Sequence, residues 1–274
     1  MKFSEIWNKH SLRWQRIGPP LRPCGQDIDV LQRLVAEKCA AIGCAAPRAL
    51  LLGVTPEIVL MRWPPETRLL ALDCHPGMIK NVWPDNRTVG AVAACGNWTR
   101  MPVADDACDV GVSDCCFTSL PHPEGYAALT RELRRVLGRN GVFAMRAFVR
   151  PEVPEPVGTV LDDLRAGRIG NFHVFKWRLA MALHGDLATG VRLADIWNAW
   201  HNAVPEPAAL ADKMNWPIET VRTIDAYRGS DGCFTFPRLE ELRNALSAHF
   251  SEAACLYPDY ELGDRCPTMQ FVAK

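Results

Sequence analysis

The sequence predicts an α/β protein: a doubly wound, mostly parallel sheet of seven strands, with a helical cap inserted before the last strands. Three observations carry this. Residues 48–73 read as strand, glycine turn, capped helix and strand ending in an acid. Short apolar runs then alternate with amphipathic segments as far as about residue 150, a pace that suits parallel strands joined by helices. Finally, the proline-rich PEVPEPVG (151–158) opens a purely helical stretch to about Gly232, after which a helix and two strands close the chain.

In chain order, residues 1–25 hold Trp7, Arg13, Trp14, Arg16, Pro19, Pro20, Arg22 and Pro23, an aromatic, basic and stiffened lead-in expected to be ordered. Gln26 to Ala41 places Ile28, Leu31, Leu34 and Val35 on one helix face. These two pieces make up a first region, 1–44. The core follows over 45–157. Ala49 to Leu52 is an apolar run too short for a buried helix, and Gly53 breaks it. Thr55 suits a helix N-cap, Pro56 the first helical position and Glu57 the positive first turn. Leu69 to Leu72 is the second strand, and it stops at Asp73, 20 residues after Gly53. Strand, glycine turn, helix, strand and terminal acid form the first half of a nucleotide-binding unit, in which the acid reaches ribose hydroxyls.

Cys74-His75-Pro76 is expected to turn into a short helix through Met78, Ile79 and Val82. Val89 to Ala94 is expected as a third strand closing at Gly96-Asn97-Trp98, and Val110 to Ser113 as a fourth, with Asp114 at its C-terminal end. A helix over Gly125 to Leu137 and a fifth strand over Val142 to Phe148 complete the core. The cap, 158–232, has three or four short helices, among them FHVFKWRLAMALHG and LADIWNAWHN. Short helices rimmed by Pro and Gly predict a cap that opens for a substrate. The last region, 233–274, supplies a helix from Pro237 to Phe250 and two strands that finish the sheet.

Composition narrows the function. Lys plus Arg equals Asp plus Glu at 31 each, so no basic field draws the chain to nucleic acid or to an anionic membrane. Eleven cysteines are scattered without a C-x-x-C pair, which argues for reduced thiols rather than a disulfide framework or a metal site. The N-terminus lacks the apolar core of a signal peptide, and no stretch has the length of a membrane span. A cytoplasmic protein with a small-molecule substrate is expected, and a homodimer stays open.

Four segments, in order, resemble the class I S-adenosylmethionine-dependent methyltransferases with their Rossmann-like sheet. Ala49-Leu50-Leu51-Leu52-Gly53 resembles the first strand and glycine turn, and Leu72-Asp73-Cys74-His75-Pro76-Gly77-Met78-Ile79 the D-x-S-x-x-M segment. Residues Gly96 to Asp105 resemble the loop at the adenine, and Arg131 to Gly141 the segment before the fifth strand. The resemblance spans roughly 45–150, with a weaker match over 233–274. It implies S-adenosylmethionine as cofactor, with Asp73 on the ribose, Asn97 near the adenine amino group, Trp98 and Met78 about the adenine ring, and Gly53, Thr55 and Cys74 beside them. Asp114 sits where ligands of open α/β sheets bind, although a turn-forming Asp is a rival reading. The family's first loop usually carries two or three glycines, and here only Gly53 stands. That departure disfavours a dinucleotide-dependent oxidoreductase, which needs glycines to close on a pyrophosphate; it leaves a non-catalytic binder of S-adenosylmethionine or a nucleoside as the alternative.

With no arginine at the glycine turn, Arg16 or Arg22 of the arm is expected to meet the cofactor's carboxylate, the rival reading being that both stay solvated and backbone amides bind it. Methyl transfer chiefly requires positioning, with a base only for protonated acceptors. His122, His173, His201 and Tyr227 are the candidates, each also readable as a packed core residue. Trp197, Trp200 and His201 share one helix face, as core packing or as the wall of an acceptor pocket.

Overall fold

The computed structural model describes residues 3–85 and 90–274. The arm is more regular than its prolines suggest: α1 (Phe3–Leu12) is followed by a 3-10 turn and then by α2 (Gly25–Ala41). Asp27 holds the start of α2 by accepting from the Cys24 backbone N–H at 2.8 Å. Next come β1 (Arg48–Leu52), α3 (Pro56–Val59), β2 (Arg68–Asp73), α4 (Pro76–Val82), β3 (Ala91–Cys95), β4 (Cys108–Asp114), α5 (Glu124–Val136) and β5 (Leu137–Arg146). Thr55 occupies the N-cap position of α3, but its hydroxyl makes no capping bond, and the helix is a single turn. The expected start of the third strand at Val89 lies outside the described residues. The fifth strand begins at Leu137, five residues earlier than the apolar run indicates, because an irregularity in its pairing with β4 carries the polar segment Gly138 to Gly141.

The sheet order is β3-β2-β1-β4-β5-β9-β8; the first five strands are parallel, β9 (Thr268–Ala273) pairs antiparallel with both β5 and β8, and β8 (Phe250–Leu256) thus runs in the direction of the first five. The apolar run of β1 is continuous because both faces are covered. Leu50 and Leu52 pack in one core with side chains of α5, whereas Ala49 and Leu51 pack in the other with α2, α3 and α4.

Between β5 and β8 lie α6 (Val157–Arg165), α7 (Phe172–Ala182), β6 (Val191–Arg192), α8 (Leu193–Ala203), α9 (Pro207–Met214), α10 (Ile218–Val221), β7 (Cys233–Phe234) and α11 (Leu239–Ser247). The cap is therefore not purely helical: Val191 and Arg192, in its middle, pair antiparallel with Phe234 and Cys233 just past its end. Nor is it loosely packed. Asn171 caps α7 through bonds from the His173 and Val174 N–H groups, and nearly every α7 side chain is buried. Phe172, Phe175, Trp200 and Trp216 form an aromatic cluster around it, giving the cap a core of its own in which Ile6 of α1 and Phe148 also take part.

Candidate active site

The carboxyl ends of β1, β2 and β4 open into a cavity of about 350 Å³, which the N-terminal arm and the cap close from above the sheet. Its sheet side is Leu52 and Gly53, Asp73 to His75, and Asp114. Gly53 has φ 99° and gives its N–H to the Leu72 carbonyl at 2.7 Å, so the chain leaves β1 by a turn that only glycine adopts without strain. The Trp98 indole N–H donates to the same carbonyl at 2.6 Å, which fixes its ring against the turn.

Asp73 is buried at the end of β2, and its Oδ1 accepts from the His75 backbone N–H at 2.8 Å and lies 3.2 Å from His75 Nδ1. Both contacts fall on one oxygen, which leaves Oδ2 as the acceptor for a ligand. Burial opposes charge on His75, but its bonds to Asp73 and Cys74 outweigh this and raise its pKa to about 9. Asp73, Cys74 and His75 also bring an oxygen, a sulfur and a nitrogen within 4.8 Å of one another, a donor set that a metal ion could use. Asn97 lines the cavity, yet its carbonyl oxygen already accepts from the Thr99 N–H and hydroxyl, each at 2.9 Å. Met78, Thr55 and Cys74 line the cavity as well.

Asp114 reaches it too, tied by Oδ1 to Arg146 Nε at 2.7 Å. Arg146 is fully buried; it also donates to the Pro20 carbonyl at 2.7 Å and lies 3.6 Å from Asp27. One guanidinium thus joins the arm, α2 and β4. Nothing in the local sequence pattern marks Arg146, because its partners are distant in the chain.

Neither Arg16 nor Arg22 lines the cavity. Arg22 is committed to Glu57 and to the carbonyls of Trp14 and Ile17, and its guanidinium lies 5.0 Å from the Trp14 ring, so it clamps the arm onto α3. Of the acid–base candidates, only Tyr227 lines the cavity. His122 packs edge-on to Tyr126, His201 stacks on Trp197 at the surface, and His173 is buried with Nε2 on the Arg16 carbonyl at 3.1 Å. Trp200 belongs to the core of the cap.

The same cavity takes in further residues, of which the sequence offered Tyr227 as a base but neither His10 nor Lys176. His10 from α1, Lys176 and Trp177 from α7, and Tyr227 from the 3-10 turn Arg222–Tyr227 converge there, with Trp7, Trp14, Phe148 and Phe234 completing an aromatic wall. Burial lowers the His10 pKa to about 3 and keeps the ring neutral. It also pushes the Tyr227 hydroxyl well above its ordinary range.

Among known families, the model of the methyltransferase domain matches residues 53–145, from the glycine turn almost to the end of β5. No curated protein matches the sequence. Solved structures share the fold over almost the whole chain. One is a Rhodobacter sphaeroides protein named as a Zn-dependent alcohol dehydrogenase, with TM-score 0.64 and 12% identity, covering 99% of this chain and 97% of that one. The N-methyltransferase NodS from Bradyrhizobium japonicum, solved with S-adenosylhomocysteine, gives 0.52 and 11%, covering 97% and 98%. The 1,6-didemethyltoxoflavin-N1-methyltransferase from Burkholderia thailandensis gives 0.51 and 11%, covering 99% and 89%. At such identity these likenesses are of fold alone. The matched segment holds Gly53, Asp73, Met78 and Trp98 of the cavity wall, whereas His10, Lys176 and Tyr227 lie outside it.

Proposed function

We propose that the protein is an S-adenosylmethionine-dependent methyltransferase acting on a small-molecule acceptor. The observation that carries this is one cavity with two unlike ends: Gly53, Asp73, Met78 and Trp98 at the sheet, and an aromatic chamber with three polar groups beneath the cap. The sheet end fits the cofactor. The turn at Gly53 is open, Asp73 keeps Oδ2 for a ribose hydroxyl, and Trp98 is locked with its ring beside the turn. When bound, S-adenosylmethionine supplies a methyl group activated on a sulfonium.

The chain's own residues do the rest. Trp7, Trp14 and Trp177 exclude water from the chamber and hold a flat acceptor, and the reaction gains chiefly from that alignment. A small acceptor agrees with the enclosure of the chamber, and with the Burkholderia structure in which a small heterocycle and S-adenosylhomocysteine are bound together. A reducing, cytoplasmic setting agrees with eleven cysteines that are all free. No described helix is long and apolar enough to cross a membrane.

Calorimetric titration with S-adenosylhomocysteine and with NAD tests the cofactor, and transfer of a tritium-labelled methyl group to a panel of small acceptors tests the activity. Binding of NAD without binding of S-adenosylhomocysteine overturns the reading.

A further inference from the structure

Lys176 is fully buried, faces the cavity, and has no carboxylate partner among the described residues. Its one hydrogen bond is long, 3.5 Å to Thr223 Oγ1, and that hydroxyl already donates to the Thr220 carbonyl at 2.6 Å. Its Nζ lies 5.2 Å from the Tyr227 ring centre and 5.9 Å from that of Trp177. The titratable groups around it are His10 of α1, His173 on its own helix and Tyr227 of the 3-10 turn; Arg13 and Lys9 add positive charge near His10. An amine so placed is costly to protonate, and burial lowers its pKa to about 7. A lysine kept at such a cost, at the substrate end of a cavity, points to a ligand that completes it.

Resting on the methyltransferase reading, we propose that the chamber selects an acceptor with an acidic hydroxyl on a planar ring, a phenol or an enol, and that Lys176 Nζ takes its proton and holds the oxyanion. The step is a proton transfer: the amine lone pair forms the new N–H bond, and the O–H bonding pair stays on oxygen. Neutral amine and neutral hydroxyl enter the cavity, and an ammonium–oxyanion pair results, so no net charge has to be desolvated on entry. A carboxylate would arrive already ionised and would have to lose its water first. The Tyr227 hydroxyl, held protonated by burial, is a donor at the same end. The tryptophans supply flat apolar walls for the ring.

The test uses 4-nitrophenol, whose anion is yellow and whose neutral form is not, with 4-nitroanisole as the analogue lacking the proton. Titrated into the protein with S-adenosylhomocysteine present, at a pH where free 4-nitrophenol is mostly neutral, wild type should bind it as the yellow anion. It should prefer it over 4-nitroanisole by roughly tenfold to a hundredfold. Lys176→Met should lose both the colour and the preference while binding S-adenosylhomocysteine normally, and Lys176→Gln should do the same with a polar side chain in place. Equal affinity for the two probes, no binding of 4-nitrophenol, or persistence of the bound anion in either variant overturns the proposal. Failure of S-adenosylhomocysteine to bind would instead strike the cofactor reading. The colour change measured without it still reports on Lys176.

Discussion

Arg146 and Asp114 form a buried ion pair, Nε to Oδ1 at 2.7 Å, in which Asp114 faces the cavity and Arg146 does not. The acid at the end of β4 therefore spends one oxygen on structure, and the same guanidinium ties Pro20 of the arm and approaches Asp27 of α2. Arg146→Met should leave both acids short of their partner and cost on the order of 3–5 kcal/mol in a urea titration. Asp114→Asn should cost less, since an amide oxygen can still accept, and should affect stability more than affinity for S-adenosylhomocysteine. A variant of Arg146 as stable as wild type would remove the hub role.

Asp73 offers the clearest ligand test. Each hydrogen bond from a ribose hydroxyl to its charge is worth roughly 1.5–3 kcal/mol, so Asp73→Ala should weaken S-adenosylhomocysteine binding by about tenfold to a hundredfold or more. Asp73→Asn should fall between. Circular dichroism should show both variants folded, and unchanged affinity in folded Asp73→Ala would exclude ribose binding by this acid.

Arg22 should behave as a clamp. Its bonds all go to Glu57 and to the arm's own carbonyls, so Arg22→Ala should loosen residues 14–22 toward proteases while changing S-adenosylhomocysteine affinity by less than about threefold. A large loss of affinity with an intact arm would return the cofactor carboxylate to this residue.

Acid should destabilise the fold through its buried histidines. His10 and His173 both fall from 6.5 to about 3 in the folded protein, so below pH 6.5 the unfolded chain binds more protons than the native one. Stability is complete above that pH and falls as pH drops toward 3, by up to about 1.4 kcal/mol per pH unit for each ring. His173→Asn should reduce the slope of urea-derived stability between pH 6 and pH 4. An unchanged slope would place the proton uptake elsewhere.

Lys176 predicts a trade between stability and function. Its pKa drops from 10.5 to about 7 on folding, so the unfolded chain holds the extra proton between these values, and the group's stability contribution is complete above 10.5 and lost as pH falls toward 7. Lys176→Met should therefore be more stable near neutrality by up to about 4–5 kcal/mol, with a gain that shrinks as pH rises. A lower melting temperature at pH 7 would show that the amine is better accommodated than its surroundings indicate.

The sheet side of the cavity was legible in the sequence because it is local. Gly53 follows β1, Asp73 ends β2 and Asn97-Trp98 come just after β3, so the apolar runs place them at one edge. The chamber under the cap was legible only at Tyr227. His10, Lys176 and Tyr227 stand on three separate elements, and a lysine between Phe175 and Trp177 on a helix buried nearly all round shows no periodic face to set it apart. The sheet itself was read correctly to its seventh strand, whereas α1 was hidden in a stretch with few apolar residues, and the pairing of Val191 with Phe234 depends on a closure no local pattern announces.

The division of the cavity wall also describes how such a protein can diversify. The cavity residues supplied by the sheet and its loops lie between Leu52 and Leu120, while those from the arm and the cap side lie before 22 and after 147. The two sets share no stretch of chain. On the proposed function, exchanging the arm and the cap for those of a distant relative would change which molecule is modified while the glycine turn and Asp73 stay in place, so that chemistry and choice of target would evolve on different segments of one gene.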